Sequence, residues 1–485
     1  MKRFLQMQQK ICFLLLCAVL ICTILPAKVT AGFEIPGTCQ VQTESGIPYM
    51  VKTLDHDYGS NTYFSLRDLA MVLKDTGKSF SLEITKNAVS LNPGENYSAV
   101  GGENVPWEEV ELPNITLRRN EFKVGGEAVN YYTFIMMLPS GEYDCFMMAA
   151  DLAMILDMDI SVPAADVLEV HTQEPFRIVP GELEQAGYFY GVNGVVVGDA
   201  TTGEIYYQYQ SGMPWPIAST SKLMTCLLAL DALAAGQMSP EDLVTVSDGA
   251  QLLSASSDGV IPLTAGEQIS VRDLLLGALL PSSNECALCL AEAVAGSEET
   301  FVGMMNQKAG ELGLSQAVFF NSHGLPVYTE DPVPAKRQNR MSAEDMFRMV
   351  SHLLNVYPQI TEITSLQSAV LDSLGREVRN SNPLLRNIPE VTGLKTGTTN
   401  KAGACLVTSL TVDDGNMEHD LVVVVLGAED SVERGRVSAL LARYALDAFA
   451  GGREDAEAGT GLNPGNLPVH AEAAVDWILK TAGKY

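Results

Sequence analysis

Apolar residues alternate in some parts of the chain and recur at helical spacing in others. In residues 191–210, alternating apolar positions lie on both sides of the polar turn Asp199–Gly203, a pattern that predicts a β-hairpin. Helical spacing dominates from Ser219 to about Leu354 and again in residues 431–450. Strand-like runs return from Gly393 to Glu429. These elements predict one mixed α and β domain over residues 180–450.

Residues 33–178, ahead of that domain, contain a short internal sequence repeat. The sequence Asp68-Leu69-Ala70-Met71 recurs 83 residues later as Asp151-Leu152-Ala153-Met154. Each copy predicts a short amphipathic helix followed by a strand. Because one such unit cannot bury its apolar face alone, we expect the two copies to pack together as a small α+β two-repeat module. The module resembles the copper-amine-oxidase N-terminal-like modules of exported bacterial proteins, which implies a stalk, a wall contact or a partner contact.

The first 31 residues have the pattern of an export signal. Basic residues precede the apolar run 11–25, and small residues before Gly32 offer a cleavage site after Ala31. The run is short for a membrane span, so we favour a cleaved signal over an uncleaved anchor. The whole chain carries a net charge of −28, and residues 32–485 alone carry −32, from 27 basic and 59 acidic side chains. This charge argues against nucleic acid as a partner.

Six cysteines lie beyond the predicted signal. Cys39 and Cys145 are a candidate disulfide pair, which export would permit. Cys286 and Cys289 form a Cys-x-x-Cys pattern inside a helical stretch, where buried thiols explain them better than metal binding. The sequence therefore predicts neither a metal site nor an organic cofactor.

The C-terminal end differs in composition from the rest of the chain. Residues 451–468 are polar and contain glycine and proline, which predicts a flexible linker. Residues 469–485 predict a short amphipathic helix, which either packs on the protein or lies on a membrane surface.

A serine stands three residues before a lysine in PIASTSKLMTCLLAL, residues 216–230. On a helix these two residues share a face, so the Lys222 amine is placed beside the Ser219 hydroxyl. The apolar sequence after Lys222 predicts burial, which lowers the pKa of a lysine. Such an amine can take a proton from serine near neutral pH. The alternative is a snorkelling lysine beside a serine that caps a helix.

Two further motifs follow in order along the chain. Ser282-Ser283-Asn284 occurs in LLPSSNECALCL, and Lys395-Thr396-Gly397 occurs in VTGLKTGTTN. This set of three motifs is typical of penicillin-binding proteins and class A β-lactamases. Residues 185–450 resemble the low-molecular-weight penicillin-binding proteins, which are serine-type D-alanyl-D-alanine carboxypeptidases of peptidase family S11. The resemblance implies the serine DD-peptidase/β-lactamase fold, an α/β (α+β) arrangement with an antiparallel sheet between helices.

The resemblance also implies a role for each motif residue. Ser219 would be the nucleophile, Lys222 the general base, and Ser282 the group that relays a proton to the leaving D-alanine. The remaining residues would bind substrate: Asn284 at the peptide amide, and Lys395, Thr396, Gly397 and Thr398 at the terminal carboxylate. Backbone N–H groups of Ser219 and Thr398 would form the oxyanion hole. His323 in NSHGLP is interpreted as a turn residue, because Lys222 already fills the role of base.

The sequence departs from the family pattern at two points. Ser283 stands where the family usually has glycine, and Thr398 stands where an aromatic residue or histidine is common. Either change can alter substrate preference, but neither removes a catalytic group.

The expected substrates are peptidoglycan stem peptides ending in D-Ala-D-Ala, and β-lactams are expected to acylate the same serine. The expected location is the outer face of a bacterial cytoplasmic membrane or the cell wall. A β-lactamase is disfavoured because no Glu-x-x-Leu-Asn segment follows the second motif. A transpeptidase and a non-catalytic wall-binding or β-lactam-sensing protein remain alternatives.

Overall fold

The computed structural model describes residues 35–451, apart from 57–60, 106–117, 120, 130–131, 139–140, 165–166, 186–188, 190, 329–335 and 387. The chain divides into two compact units, residues 1–176 and residues 177–485. The predicted signal (1–31), linker (451–468) and C-terminal helix (469–485) lie outside the described residues, except for Gly451. No helix in the described ranges is both long enough and apolar enough to cross a membrane.

The first unit is built on an eight-stranded and a four-stranded sheet. Its strands are β1 (Ile35–Thr43), β2 (Pro48–His56), β3 (Asn61–Ser65), β4 (Phe80–Ile84), β5 (Ala88–Pro93), β6 (Arg118–Arg119), β7 (Glu121–Val124), β8 (Glu127–Val129), β9 (Tyr132–Met137), β10 (Tyr143–Met148), β11 (Asp159–Ala164) and β12 (Val167–His171). The larger sheet has the order β11-β12-β1-β2-β3-β10-β9-β6, and the smaller has β4-β5-β7-β8. Because β1 pairs with β12 in parallel, the first and last strands of this unit are neighbours.

Both copies of the repeated segment form eight-residue helices, α1 (Leu66–Leu73) and α2 (Ala149–Leu156). Each helix follows directly on a strand, β3 or β10, and these two strands pair antiparallel. The strand predicted after each helix is also present, as β4 and β12. The copies differ at their N-caps, since Ser65 accepts a hydrogen bond from the Asp68 N–H and the corresponding Met148 has no capping side chain.

The cysteines in the described part of the chain, all six beyond the predicted signal, are buried and form no disulfide. Cys39 lies on β1 and Cys145 on β10, with β2 and β3 between them in the sheet. At about 4.8 Å per strand their backbones are roughly 14 Å apart, beyond the reach of a disulfide. The candidate Cys39–Cys145 pair is therefore wrong, because sequence alone does not give the order of strands in the sheet.

The second unit has a five-stranded antiparallel sheet with the order β14-β13-β25-β24-β23. Its strands are β13 (Gly194–Asp199), β14 (Glu204–Tyr209), β15 (Trp215–Pro216), β16 (Leu243–Thr245), β17 (Gln268–Ser270), β18 (Val327–Tyr328), β19 (Lys336–Arg337), β20 (Arg340–Met341), β21 (Ser368–Leu371), β22 (Arg376–Arg379), β23 (Val391–Thr399), β24 (Gly403–Asp413) and β25 (Glu418–Ala428). The predicted hairpin is the pair β13–β14, with its turn after Asp199.

Most helices of this unit lie in the stretches that helical spacing predicted, from Ser219 to about Leu354 and in 431–450, and two short ones, Pro180–Gln185 and Ile360–Thr364, lie outside them. They are α3 (Pro180–Gln185), α4 (Lys222–Ala234), α5 (Asp248–Ser254), α6 (Val271–Leu279), α7 (Asn284–Ala295), α8 (Glu298–Glu311), α9 (Ala343–Val356), α10 (Ile360–Thr364) and α11 (Ser431–Gly451). Short 3₁₀ helices occupy Ala218–Ser221 and Pro383–Arg386.

The five-stranded sheet is buried on both faces. Val196, Val422 and Val424 belong to the main hydrophobic core, which includes side chains of α4 and α9. The alternating residues Val195 and Val423 are equally buried but lie outside that core, on the face that α11 covers. This arrangement confirms the predicted antiparallel sheet between helices.

Candidate active site

Ser219 lies in the 3₁₀ turn Ala218–Ser221, immediately before α4. The turn is tight, and Ala218 has a left-handed φ of 47°. Two glycines pack against its backbone. A Cβ on Gly397 would lie 2.9 Å from Ser219 N, and a Cβ on Gly324 would lie 2.0 Å from Ala218 O. Glycine at both positions thus lets β23 and the 321–325 turn approach the backbone of Ser219.

Lys222 is the first residue of α4 and is fully buried. Its Nζ lies 2.8 Å from Ser219 Oγ, 2.7 Å from Asn284 Oδ1 and 2.9 Å from the carbonyl oxygen of His323. Burial, assisted by the positive charge of Lys395, holds the pKa of Lys222 well below its usual value. In its neutral form this amine donates its two N–H groups to Asn284 Oδ1 and to the carbonyl oxygen of His323. Its lone pair is then left for the hydroxyl proton of Ser219.

The second motif begins at Ser282, which has a left-handed φ of 71°. Ser283 caps α7 by accepting a hydrogen bond from the Cys286 N–H. Asn284 is held at both ends, because its Oδ1 accepts from Lys222 and its Nδ2 donates to the carbonyl of Asp258 at 2.8 Å. The half-buried Ser282 hydroxyl makes no hydrogen bond within the described residues, so the geometry does not join it to either lysine.

The third motif lies on β23, an edge strand of the five-stranded sheet. Lys395 is buried, and its Nζ donates to the carbonyl of Thr396 at 3.1 Å. Burial lowers the pKa of Lys395 to about 7, and the positive charge of Arg434 acts in the same direction. Such a poorly solvated cation binds a carboxylate more strongly than an exposed lysine does.

Two functional candidates near β23 were missed by sequence reasoning. Arg434 in the first turn of α11 is 93% buried and donates to Thr398 Oγ1 at 3.3 Å. Ser381 lies 2.6 Å from Thr396, Oγ to Oγ1, and its N–H donates to the carbonyl of Leu280. Neither residue belongs to a motif, and both reach β23 only through tertiary packing. The one signal available in the sequence is an arginine near the start of the helix predicted for residues 431–450.

His323 contributes its backbone to the site and not its ring. Its carbonyl oxygen accepts from Lys222, while its ring Nδ1 accepts from the Leu325 N–H at 3.2 Å. Burial lowers the pKa of the ring to about 3, so the imidazole is neutral. The interpretation of His323 as a turn residue agrees with these contacts.

The two cysteines of the Cys-x-x-Cys pattern are buried thiols in α7. Burial raises the pKa of the Cys286 and Cys289 thiols, which keeps both protonated. Within the described ranges, no group of three or more histidine, cysteine, aspartate or glutamate side chains could hold a metal ion.

The arrangement brings a serine, two buried lysine amines, a primary amide and a buried guanidinium into one part of the second unit. The serine and the amine of Lys222 form a nucleophile and a base. Lys395, with Arg434 beside Thr398, provides positive charge for an anionic group at the end of a substrate. These groups suit acyl transfer from a peptide that ends in a carboxylate.

Comparison with known proteins identifies the same part of the chain. Residues 192–430 match the family model of D-alanyl-D-alanine carboxypeptidase, peptidase S11. D-alanyl-D-alanine carboxypeptidase DacF of Bacillus subtilis is 36% identical over 236 residues, which cover 48% of this chain and 56% of that protein. DacC of Escherichia coli is 34% identical, with 48% of this chain and 55% of that protein covered.

A peptidoglycan synthesis regulatory factor (PBP3) from Streptococcus pneumoniae is a solved structural neighbour. It has 32% identity and a TM-score of 0.49, and the match covers 53% of this chain and 72% of that one. The chain thus spans a little over half of the length of the two curated relatives named above. The family that the three sequence motifs indicated is confirmed, and residues 192–430 of this chain belong to the D-alanyl-D-alanine carboxypeptidase family, peptidase S11.

Proposed function

We propose that this protein is a serine-type D-alanyl-D-alanine carboxypeptidase that removes the terminal D-alanine from peptidoglycan stem peptides. The observation that carries the proposal is the contact between a fully buried Lys222 Nζ and Ser219 Oγ at 2.8 Å, with Asn284 and the His323 carbonyl as the other partners of the amine. A lysine in this setting is a base and not a surface cation. Family membership of residues 192–430 supports the same reaction.

In the acylation step, neutral Lys222 takes the proton of Ser219 while Oγ forms a bond to the carbonyl carbon of the penultimate D-alanine. The oxygen that becomes negative is stabilised by the backbone N–H groups of Ser219 and Thr398. The closeness of Gly397 to Ser219 N supports this pairing, because it brings β23 against the nucleophile turn. Asn284 binds the substrate amide through its side chain.

The terminal carboxylate of the substrate binds beside β23. Lys395 supplies its positive charge, and Thr396 and Thr398 supply hydroxyl groups around Gly397. Arg434 extends this positive region, because it already donates to Thr398. Recognition of the carboxylate explains why an acidic protein buries both Lys395 and Arg434 at β23, although the charge of Arg434 disfavours a charge on Lys395.

The C–N bond then breaks, and the leaving D-alanine takes a proton that came from Ser219. We assign the relay of this proton from Lys222 to the amine to Ser282 on the family resemblance, and it requires the bound substrate to bring the Ser282 hydroxyl into contact with Lys222. Water later hydrolyses the acyl-enzyme. β-Lactams enter the same path, because their strained amide and carboxylate mimic the terminal dipeptide. The ring opens on attack by Ser219, so the drug stays attached as a single adduct.

We further propose that the protein acts outside the cytoplasmic membrane, at its outer face or in the wall, where its substrate is found. The export signal predicted for residues 1–31 supports this location. For the first unit, with its two strand–helix copies, we propose a role as spacer or as contact to wall or partner.

The direct test is release of D-alanine from a peptide ending in D-Ala-D-Ala, measured for wild type, Ser219→Ala and Ser315→Ala. Ser315 is an exposed serine outside the motifs and serves as the matched control. We expect release by wild type and the control, and none by Ser219→Ala. Penicillin acylation without D-alanine release would favour a β-lactam sensor, and rapid drug hydrolysis would favour a β-lactamase.

A further inference from the structure

Glu285 follows directly on Asn284 and is fully buried in the first turn of α7. A buried carboxylate is costly unless it accepts hydrogen bonds. Its Oε1 accepts from the backbone N–H of Val260, at 3.0 Å, and from that of Ile261. Its Oε2 has no hydrogen-bond partner in the described part of the chain. The carboxylate therefore faces the backbone of a loop and not another side chain.

That loop, residues 255–263, folds back on the end of α5. Ser254 Oγ donates to the carbonyl of Ile261 and accepts from the Leu263 N–H, so the two ends of the loop are tied together. A Cβ on Gly259 would lie 1.9 Å from the carbonyl oxygen of Ser254. The Glu285 carboxylate accepts from two backbone N–H groups in the central part of this loop.

The loop returns to the active site through the carbonyl of Asp258, which accepts the Nδ2 of Asn284 at 2.8 Å. Because a primary amide has its oxygen and nitrogen at opposite ends, fixing the nitrogen also fixes the oxygen. The oxygen of Asn284 is the acceptor 2.7 Å from Lys222 Nζ. A chain of contacts thus leads from Glu285 through the loop to the catalytic amine.

We infer that Glu285 is a positioning residue, which anchors the 255–263 loop so that Asp258 holds Asn284 in the orientation that gives Lys222 its acceptor. The inference rests on the proposed function and adds a residue outside the three motifs. The charge of Glu285 has a second effect on the same group. It opposes the lowering of the Lys222 pKa that burial and Lys395 produce.

The test compares Glu285→Ala and Glu285→Gln with Glu292→Gln, a control on the same helix that accepts from Ser247. Acylation by a fluorescent penicillin is followed against pH. Alanine removes the anchor, so we expect acylation on the plateau of the pH profile to be about 10- to 100-fold slower, which corresponds to the loss of a hydrogen bond to a charged group. Glutamine keeps a carbonyl oxygen for the loop, so we expect a plateau rate within about threefold of wild type.

The glutamine variant also separates positioning from mere stability. Removal of the negative charge lowers the pKa of Lys222 further, so the acidic limb of the acylation profile moves to lower pH. A purely structural role would change the melting temperature and leave this limb in place. The inference is overturned if the acidic limb does not move in Glu285→Gln, or if Glu285→Ala is acylated at the wild-type rate. If Glu285→Ala does not fold, the glutamine variant alone provides the test.

Hydrogen exchange gives a readout that does not depend on catalysis. In Glu285→Ala the amides of Val260 and Ile261 lose their acceptor, so a peptide covering 255–263 should exchange at least about tenfold faster than in wild type. Unchanged protection refutes the anchor even if the enzyme is inactive. Lack of acylation in wild type, with faster exchange in the variant, refutes the proposed function and leaves the anchor supported.

Discussion

Replacement of Gly397 by alanine tests whether β23 sets the position of the nucleophile. The added Cβ would lie 2.9 Å from Ser219 N and 3.0 Å from both Ile217 O and Thr220 N, all backbone atoms. Ordinary contacts start at 3.4 Å, so the Ser219 turn and β23 must separate by roughly half an ångström. A shift of this size misaligns the serine with the proposed oxyanion-forming N–H of Thr398.

Overpacking of this kind costs about 1–3 kcal/mol, and misplacement of a catalytic group by about 1 Å can slow a reaction about 100-fold. We therefore predict that Gly397→Ala is acylated by a fluorescent penicillin about 10- to 100-fold more slowly than wild type. Gly310→Ala is the matched control, because no atom lies within 4 Å of its added Cβ in α8. If Gly397→Ala is acylated at the wild-type rate and its melting temperature is unchanged, β23 does not set the position of Ser219.

Three other predictions concern charge. Because burial lowers the pKa of Lys222 and the neutral amine is the active form, the limb of the acylation profile that rises with pH should lie well below 10.5, the ordinary lysine value. Arg434→Gln should raise the KM for a D-Ala-D-Ala peptide about tenfold, whereas the exposed Arg443→Gln on the same helix should leave it unchanged, as steady-state kinetics can show. Lys52→Met should destabilise the first unit by about 3 kcal/mol in denaturant unfolding, since it leaves the buried Asp68 carboxylate without its ion pair.

The outcomes that contradict these predictions are distinct. A pH profile that levels off only near 10.5 would mean that Lys222 is an ordinary lysine. Equal KM values for the two arginine variants would show that Arg434 does not contribute to carboxylate binding. For Lys52, the matched control is Lys86→Met at an exposed position, and equal unfolding free energies for the two variants would show that the buried pair contributes nothing.

Sequence reasoning located the parts of the fold that local patterns determine. The β13–β14 hairpin and helix α11 follow from periodicity, and Lys222 stands one helical turn from Ser219 because spacing along one element fixes it. The family resemblance, and not periodicity, gave Asn284 a role at the substrate amide. It did not predict that Asn284 Oδ1 lies 2.7 Å from Lys222 Nζ, across 62 residues of sequence.

Contacts between distant segments were not accessible in this way. Strand order decides that Cys39 and Cys145 are far apart, and nothing local encodes it. Arg434 reaches Thr398 only because α11 packs back on the sheet. The carbonyl of Asp258 is a backbone group, so no side-chain pattern could have marked its contact with Asn284.

The central claim is that Ser219 forms a covalent acyl-enzyme with Lys222 as its base. The most direct measurement is the intact mass of the purified protein with and without benzylpenicillin, beside Ser219→Ala. The account predicts a single adduct with the mass of one whole drug molecule on wild type, mapped to the peptide that contains Ser219, and no adduct on the variant. Unmodified wild-type protein in the presence of intact drug would contradict the account.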